Sequence, residues 1–143
     1  MEIKAQQGQD RATSPTLCFV SDIVVVGAGL SGLTSARLLQ EKGHHVVVLD
    51  KGRGLGGRMA TRRITAPDGS VALFDHGAQF FTVREPAFQQ LVDQWIAEGI
   101  VREWCRGFVA EDGHPRYVVN SGMAALTKHL AHDLDVRTST LVF

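Results

Sequence analysis

The stretch that most restricts the fold is Ser21 to Asp50, SDIVVVGAGLSGLTSARLLQEKGHHVVVLD. Ile23 to Val26 is an unbroken β-branched run, the pattern of a parallel strand buried on both faces. It stops at Gly27, Ala28, Gly29, Leu30, Ser31 and Gly32, which is G-x-G-x-x-G. The spacing separates what the glycines do, since Gly27 permits the turn out of the strand, Gly29 lets a pyrophosphate approach the backbone, and Gly32 lets the helix pack close to the sheet. The phosphates would then lie on the unpaired N–H groups that open the helix. Gly43 closes that helix, Val46 to Leu49 forms a second strand, and Asp50 stands at its end. A carboxylate about 20 residues beyond the glycines is placed to accept hydrogen bonds from ribose hydroxyls. The spacing predicts a dinucleotide-binding βαβ unit, against the alternative of a bare packing turn.

From Asp50 the chain reads DKGRGLGGRMATRR, with four glycines and the cations Lys51, Arg53, Arg58, Arg62 and Arg63. Glycine density exposes backbone N–H groups, and an arginine fork adds paired donors for phosphate oxygens, so this loop is expected to form a second anion clamp opposite the first. A solvated basic loop is the alternative.

Composition narrows the partners. A chain of 143 residues can bury one sizeable core. Fifteen cations balance fifteen anions, so no overall field favours nucleic acid or a membrane surface. No apolar run approaches the roughly 20 residues that span a bilayer. Residues 1 to 18 are polar and aperiodic and are expected to be a flexible extension, leaving residues 19 to 143 as the folded domain. Cys18 and Cys105 form no CxxC or metal spacing, and reduced unpaired thiols point to a cytoplasmic location. The six histidines show no HxH or HExxH pattern, so no metal is expected.

The remaining elements follow from turn chemistry and periodicity. Arg63 to Phe74 reads as a hairpin around Pro67, Asp68 and Gly69. In Pro86 to Glu98, Phe88, Leu91, Val92, Trp95 and Ile96 recur at helical spacing, with Gly99 just past the end. A second hairpin joins Ile100 to Val109 with Arg116 to Val119 around Glu111, Asp112 and Gly113, and Trp104 and Tyr117 are expected to pack across it. Ser121 suits the N-cap of a helix carrying Met123, Leu126, Leu130 and Leu134, and Asp135 to Phe143 reads as a strand.

GAGLSG, LDKGRGLGGRMATRR and, from Phe74 to Thr82, FDHGAQFFT occur in that order. Together they resemble the amino-terminal half of the flavin-containing amine oxidase superfamily, and within it the renalase-like bacterial oxidoreductases most of all. The resemblance covers Asp22 to Phe143. It implies an α/β, Rossmann-like FAD-binding domain with a parallel sheet and an inserted excursion of hairpins and a helix. It also implies FAD as cofactor and oxidation of a small molecule, an amine or a reduced nicotinamide, by hydride transfer to the flavin.

Carried over by residue, the resemblance assigns Gly27, Gly29, Leu30, Ser31 and Gly32 to the pyrophosphate and Asp50 to the adenosine ribose, with Lys51 beside it among the cofactor-binding residues. Gly57, Arg58 and Met59 of the GGRM element would bind from the opposite loop, and Gln79 and Phe80 would lie beside the flavin. A G-M element, here Gly122 and Met123, opens a helix, and the strand after it would bring Val142 to the adenine. Relatives continue for roughly as many residues again, so the chain reads as truncated, with an exposed face that would favour self-association. No nucleophilic constellation is present, and no catalytic residue is assigned. The alternatives are an NAD-linked dehydrogenase and a nucleotide-binding fragment without activity.

Overall fold

The computed structural model describes residues 22–109 and 113–143. The expected extension over residues 1–18, with Cys18, and the turn residues Glu111 and Asp112 lie outside the described residues. Strand β1 (Asp22–Val26), helix α1 (Leu30–Glu41) and strand β2 (His45–Leu49) form the βαβ unit. Val25 and Val48 pair in the parallel register of β1 and β2, and strand β7 (Asp135–Arg137) adds in parallel on the far side of β2, for the order β1-β2-β7.

Among the described residues, elements cover one face of this sheet. Val46 and Val48 are buried beneath Leu33 and Ala36 of α1, with Ile23 and Val25 packed beside them. Val24 and Val26 face the other way and are 59% and 66% exposed. This corrects the expectation that β1 is buried on both faces: among the described residues it is an edge strand, and its apolar run spans one packed side and one open side.

Between β2 and β7 lies the excursion. Strands β3 (Thr61–Thr65) and β4 (Val71–Asp75) form the first hairpin, longer than the turn signals alone suggested. Its turn is closed by Asp68, which accepts from the backbone N–H and the hydroxyl of Ser70. Helix α2 (Pro86–Ala97) buries Val92 and Trp95 and ends where Gly99, at φ 73°, turns the chain back. Strands β5 (Val101–Arg106) and β6 (Pro115–Val119) form the second hairpin.

Trp104 and Tyr117 do not pack across that hairpin. The register shifts between Glu103 and Cys105, so Glu103 stands opposite Tyr117 and Trp104 falls on the bulge. Tyr117 is buried and stacks on Phe81, whereas Trp104 is 49% exposed and meets Phe80 and Phe108.

Helix α3 (Ala124–Leu130) buries Leu126 and Leu130, as their spacing implied, but it stops before Leu134. Ser121 does not cap it, since the N-cap position is Met123 and the donors there are met from elsewhere. Strand β7 is three residues rather than nine. Beyond it Ser139 takes a positive φ of 54°, and the chain leaves the sheet to hydrogen-bond the loop after β2.

Candidate functional site

The glycine turn emerges from β1 at the sheet's carboxyl edge. Gly27 adopts φ 107°, and its N–H donates to the Leu49 carbonyl at 2.7 Å. A Cβ on Gly32 would stand 1.9 Å from the Gly27 carbonyl oxygen, so α1 sits closer to the turn than any side chain allows. A Cβ on Gly29 would meet nothing within 4 Å, because that glycine faces open space.

The second glycine loop lies against the first. The Gly56 N–H donates to the Ala28 carbonyl at 2.9 Å, and Gly29 and Gly56 pair as a parallel bridge. A Cβ on Gly57 would lie 3.9 Å from the Gly29 Cα. The two loops thus form a cradle of bare backbone, its N–H groups exposed by the lack of side chains.

Asp50 ties this region together. One carboxylate oxygen accepts from the Ala28 N–H and the other from the Gly52 N–H, each at 2.6 Å. Its backbone carbonyl accepts from the Thr140 N–H at 2.8 Å, which draws the terminal segment alongside.

Two cavities open from the cradle. One, of about 730 Å³, is lined by Asp50, Lys51, Thr61, Ala124, Lys128 and Val142 among others. The second, of about 790 Å³, is lined by Gly29, Leu30, Ser31, Gly32, Arg58, Met59, Gly77 and Ala78 among others. Val26, Gly27, Asp50 and Gly57 line both, so the cavities meet at the glycine turn.

Of the cofactor-binding residues expected from the sequence, these cavities bring together all but Gln79 and Phe80. Those two continue from Ala78 but line neither space. Phe80 instead joins Trp104 and Phe108 in an aromatic group, with the Arg116 guanidinium 3.9 Å from the Phe108 ring centre. Arg58 is exposed on the rim and, among the described residues, its guanidinium has no hydrogen-bond partner. Sequence reasoning assigned no role to Thr61, Lys128 and Thr140 in the wall of the first cavity: Thr61 follows the GGRM element without a spacing that marks it, and the other two sit in no motif. It also assigned nothing to Gly77, where a Cβ would lie 2.0 Å from the Arg58 carbonyl oxygen; the next N–H, that of Ala78, donates to that oxygen at 2.8 Å.

A parallel βαβ unit with a glycine turn, an acidic residue at the end of the second strand and a groove across both defines a dinucleotide-binding domain of the Rossmann type. A family model described as an NAD(P)-binding Rossmann-like domain matches residues 25–95. An L-amino-acid oxidase from Siganus canaliculatus is 49% identical over 98 residues, 68% of this chain and 17% of that protein. A flavin-dependent L-tryptophan oxidase from Lentzea aerocolonigenes is 46% identical over 56 residues, 39% of this chain and 12% of that protein. Lysine-specific histone demethylase 1 homolog 1 from Arabidopsis thaliana is 44% identical over 61 residues, 43% and 7% of the two chains. Among solved structures, putrescine oxidase bound to putrescine is 28% identical with a TM-score of 0.43, over 71% of this chain and 22% of that one. The chain is similar to members of the flavin-containing amine oxidase superfamily. It spans between 7% and 17% of the length of these curated relatives.

Proposed function

We propose that this chain is the FAD-binding portion of a renalase-like oxidoreductase that oxidises a small molecule, either an amine or a reduced nicotinamide. The observation that carries the reading is the pair of cavities meeting at Gly27, Asp50 and Gly57, the arrangement a two-nucleotide ligand needs. The backbone cradle fits its pyrophosphate, since Gly29 faces open space in which a side chain would stand between the ligand and the bare backbone.

In this reading Gly29, Leu30, Ser31, Gly32 and Arg58 hold the pyrophosphate, Asp50 and Lys51 the ribose, and Val142 the adenine. Asp50 already serves two backbone donors, yet a carboxylate has about four acceptor positions, which leaves room for ribose hydroxyls. Met59 of the second cavity, with Gln79 and Phe80 beyond it, would flank the flavin. When bound, FAD supplies the hydride acceptor, and the protein's part is to hold and orient it. With the reading go a cytoplasmic location and a folded domain over residues 19 to 143. No helix among the described residues is long and apolar enough to cross a membrane.

An NAD-linked dehydrogenase would use the same glycine turn. It has no need of the GGRM and DHGAQF segments, whose backbones join through the Arg58 carbonyl to wall the second cavity. The test is titration of the purified chain with FAD and with NAD, followed by quenching of flavin fluorescence. FAD should bind and NAD should not displace it. Arg58→Lys, which keeps the charge but loses the fork, should weaken FAD by roughly tenfold, whereas Arg53→Lys, outside both cavities, should change little. Binding of NAD alone would overturn the reading.

A further inference from the structure

We propose that Asp75 is a positioning residue for the bound nucleotide, acting through helix α3; the proposal rests on the dinucleotide reading above. Asp75 ends strand β4 and is half-buried. Its Oδ1 accepts from the Met123 N–H at 2.9 Å and from the Thr61 hydroxyl. The same hydroxyl oxygen accepts from the Ala124 N–H at 3.0 Å. Two of the donors that open α3 are therefore satisfied by side chains from the first hairpin, 48 and 63 residues away in sequence.

The chain is shaped to allow this contact. Gly122 adopts φ 88°, and a Cβ there would lie 2.6 Å from the Thr61 Cγ2. A helix of seven residues is marginal by itself, so its position depends on what holds its ends. What α3 positions is the nucleotide groove: Ala124 and Lys128 line the first cavity beside Thr61, and Thr127 packs on Gly56 of the second glycine loop. Gly77 and Ala78, just after Asp75 in the chain, line the second cavity. The carboxylate thus fixes the wall of the first cavity that Thr61 and α3 form, while the second cavity's Gly77 and Ala78 are held by the Arg58 carbonyl.

Removing that carboxylate leaves the Met123 N–H and the Thr61 hydroxyl without their acceptor. Asp75→Ala should weaken ADP and FAD roughly tenfold or more while the far-ultraviolet circular dichroism stays that of the wild type. Asp75→Asn, whose amide oxygen can still accept, should return affinity to within about threefold of wild type. Thr65→Ala, on the same hairpin but outside both cavities, should leave it unchanged. A folded Asp75→Ala chain with wild-type ADP affinity would overturn the proposal.

Should Asp75→Ala fail to fold, amide exchange in the wild type decides. The Met123 and Ala124 amides should exchange slowly, and saturating ADP should slow them several-fold further. Exchange that ADP leaves unmoved overturns the proposal. Failure of the wild type to bind ADP or FAD at all would instead overturn the dinucleotide reading, and this inference with it.

Discussion

Gly29 and Gly32 are neighbours in one motif, yet a side chain at each would fail for a different physical reason. At Gly32 the added carbon meets the Gly27 carbonyl oxygen at 1.9 Å, so the turn or the helix must move. At Gly29 it meets nothing, and harm arises only when a ligand needs that space. Gly29→Val should therefore keep the melting temperature and lose FAD binding, whereas Gly32→Ala should lower the melting temperature and lose binding together. Thermal unfolding with parallel FAD titration checks both, and retained binding in Gly29→Val would make the turn purely structural. At this scale the glycines, Asp50 and Arg58 were legible because their spacing carries chemistry. The two backbone bonds of Asp50 and the contacts of Asp75 were not, since each depends on a partner the fold brings from elsewhere.

Elements were legible where their signals are local. Helices α1 and α2 show their apolar spacing and their closing glycines, and the first hairpin shows its turn residues. Helix α3 and strand β7 were misjudged at their ends because non-local contacts decide them: Asp75 and Thr61 replace the expected Ser121 cap, and Asp50 and Gly52 pull the chain out of the strand after Thr138. The first hairpin also carries a pH signature. Hydrogen bonds from the Ser70 side chain and then its backbone hold the Asp68 carboxyl below the ordinary aspartate range. A carboxylate lowered in the folded state stabilises the turn above its unfolded pKa, and that contribution is lost as pH falls through the folded value. The Ser70 amide resonance should therefore titrate with a midpoint below that of Asp68 in a short turn peptide. Equal midpoints would mean that the turn is not formed in solution.

For the whole molecule, the parallel sheet and the order of its elements followed from the βαβ pattern, but which sheet face is covered did not. A β-branched run reads the same whether one or both of its faces are packed. In the structure α1 covers one side, and the other presents Val24 and Val26 to solvent along an edge strand whose outer N–H and C=O groups have no neighbouring strand among the described residues. The first hairpin adds Ile64, Val71 and Phe74, and Trp104 and Phe108 add a third exposed apolar group. Surfaces of this kind favour association, and an edge strand favours it in one geometry, by pairing with a strand from another copy. The 143-residue chain should therefore show a sedimentation coefficient that rises with concentration. Val24 is the position to test, since it lies on the open face of β1 but lines neither cavity. A lysine there puts a charge on the open edge, the device by which natural edge strands avoid pairing. Val24→Lys should hold the chain monomeric and leave FAD affinity unchanged. If the wild type stays monomeric across the concentration range, the open face is adequately solvated as it stands; if Val24→Lys associates as strongly as wild type, the contact lies on the hairpins instead.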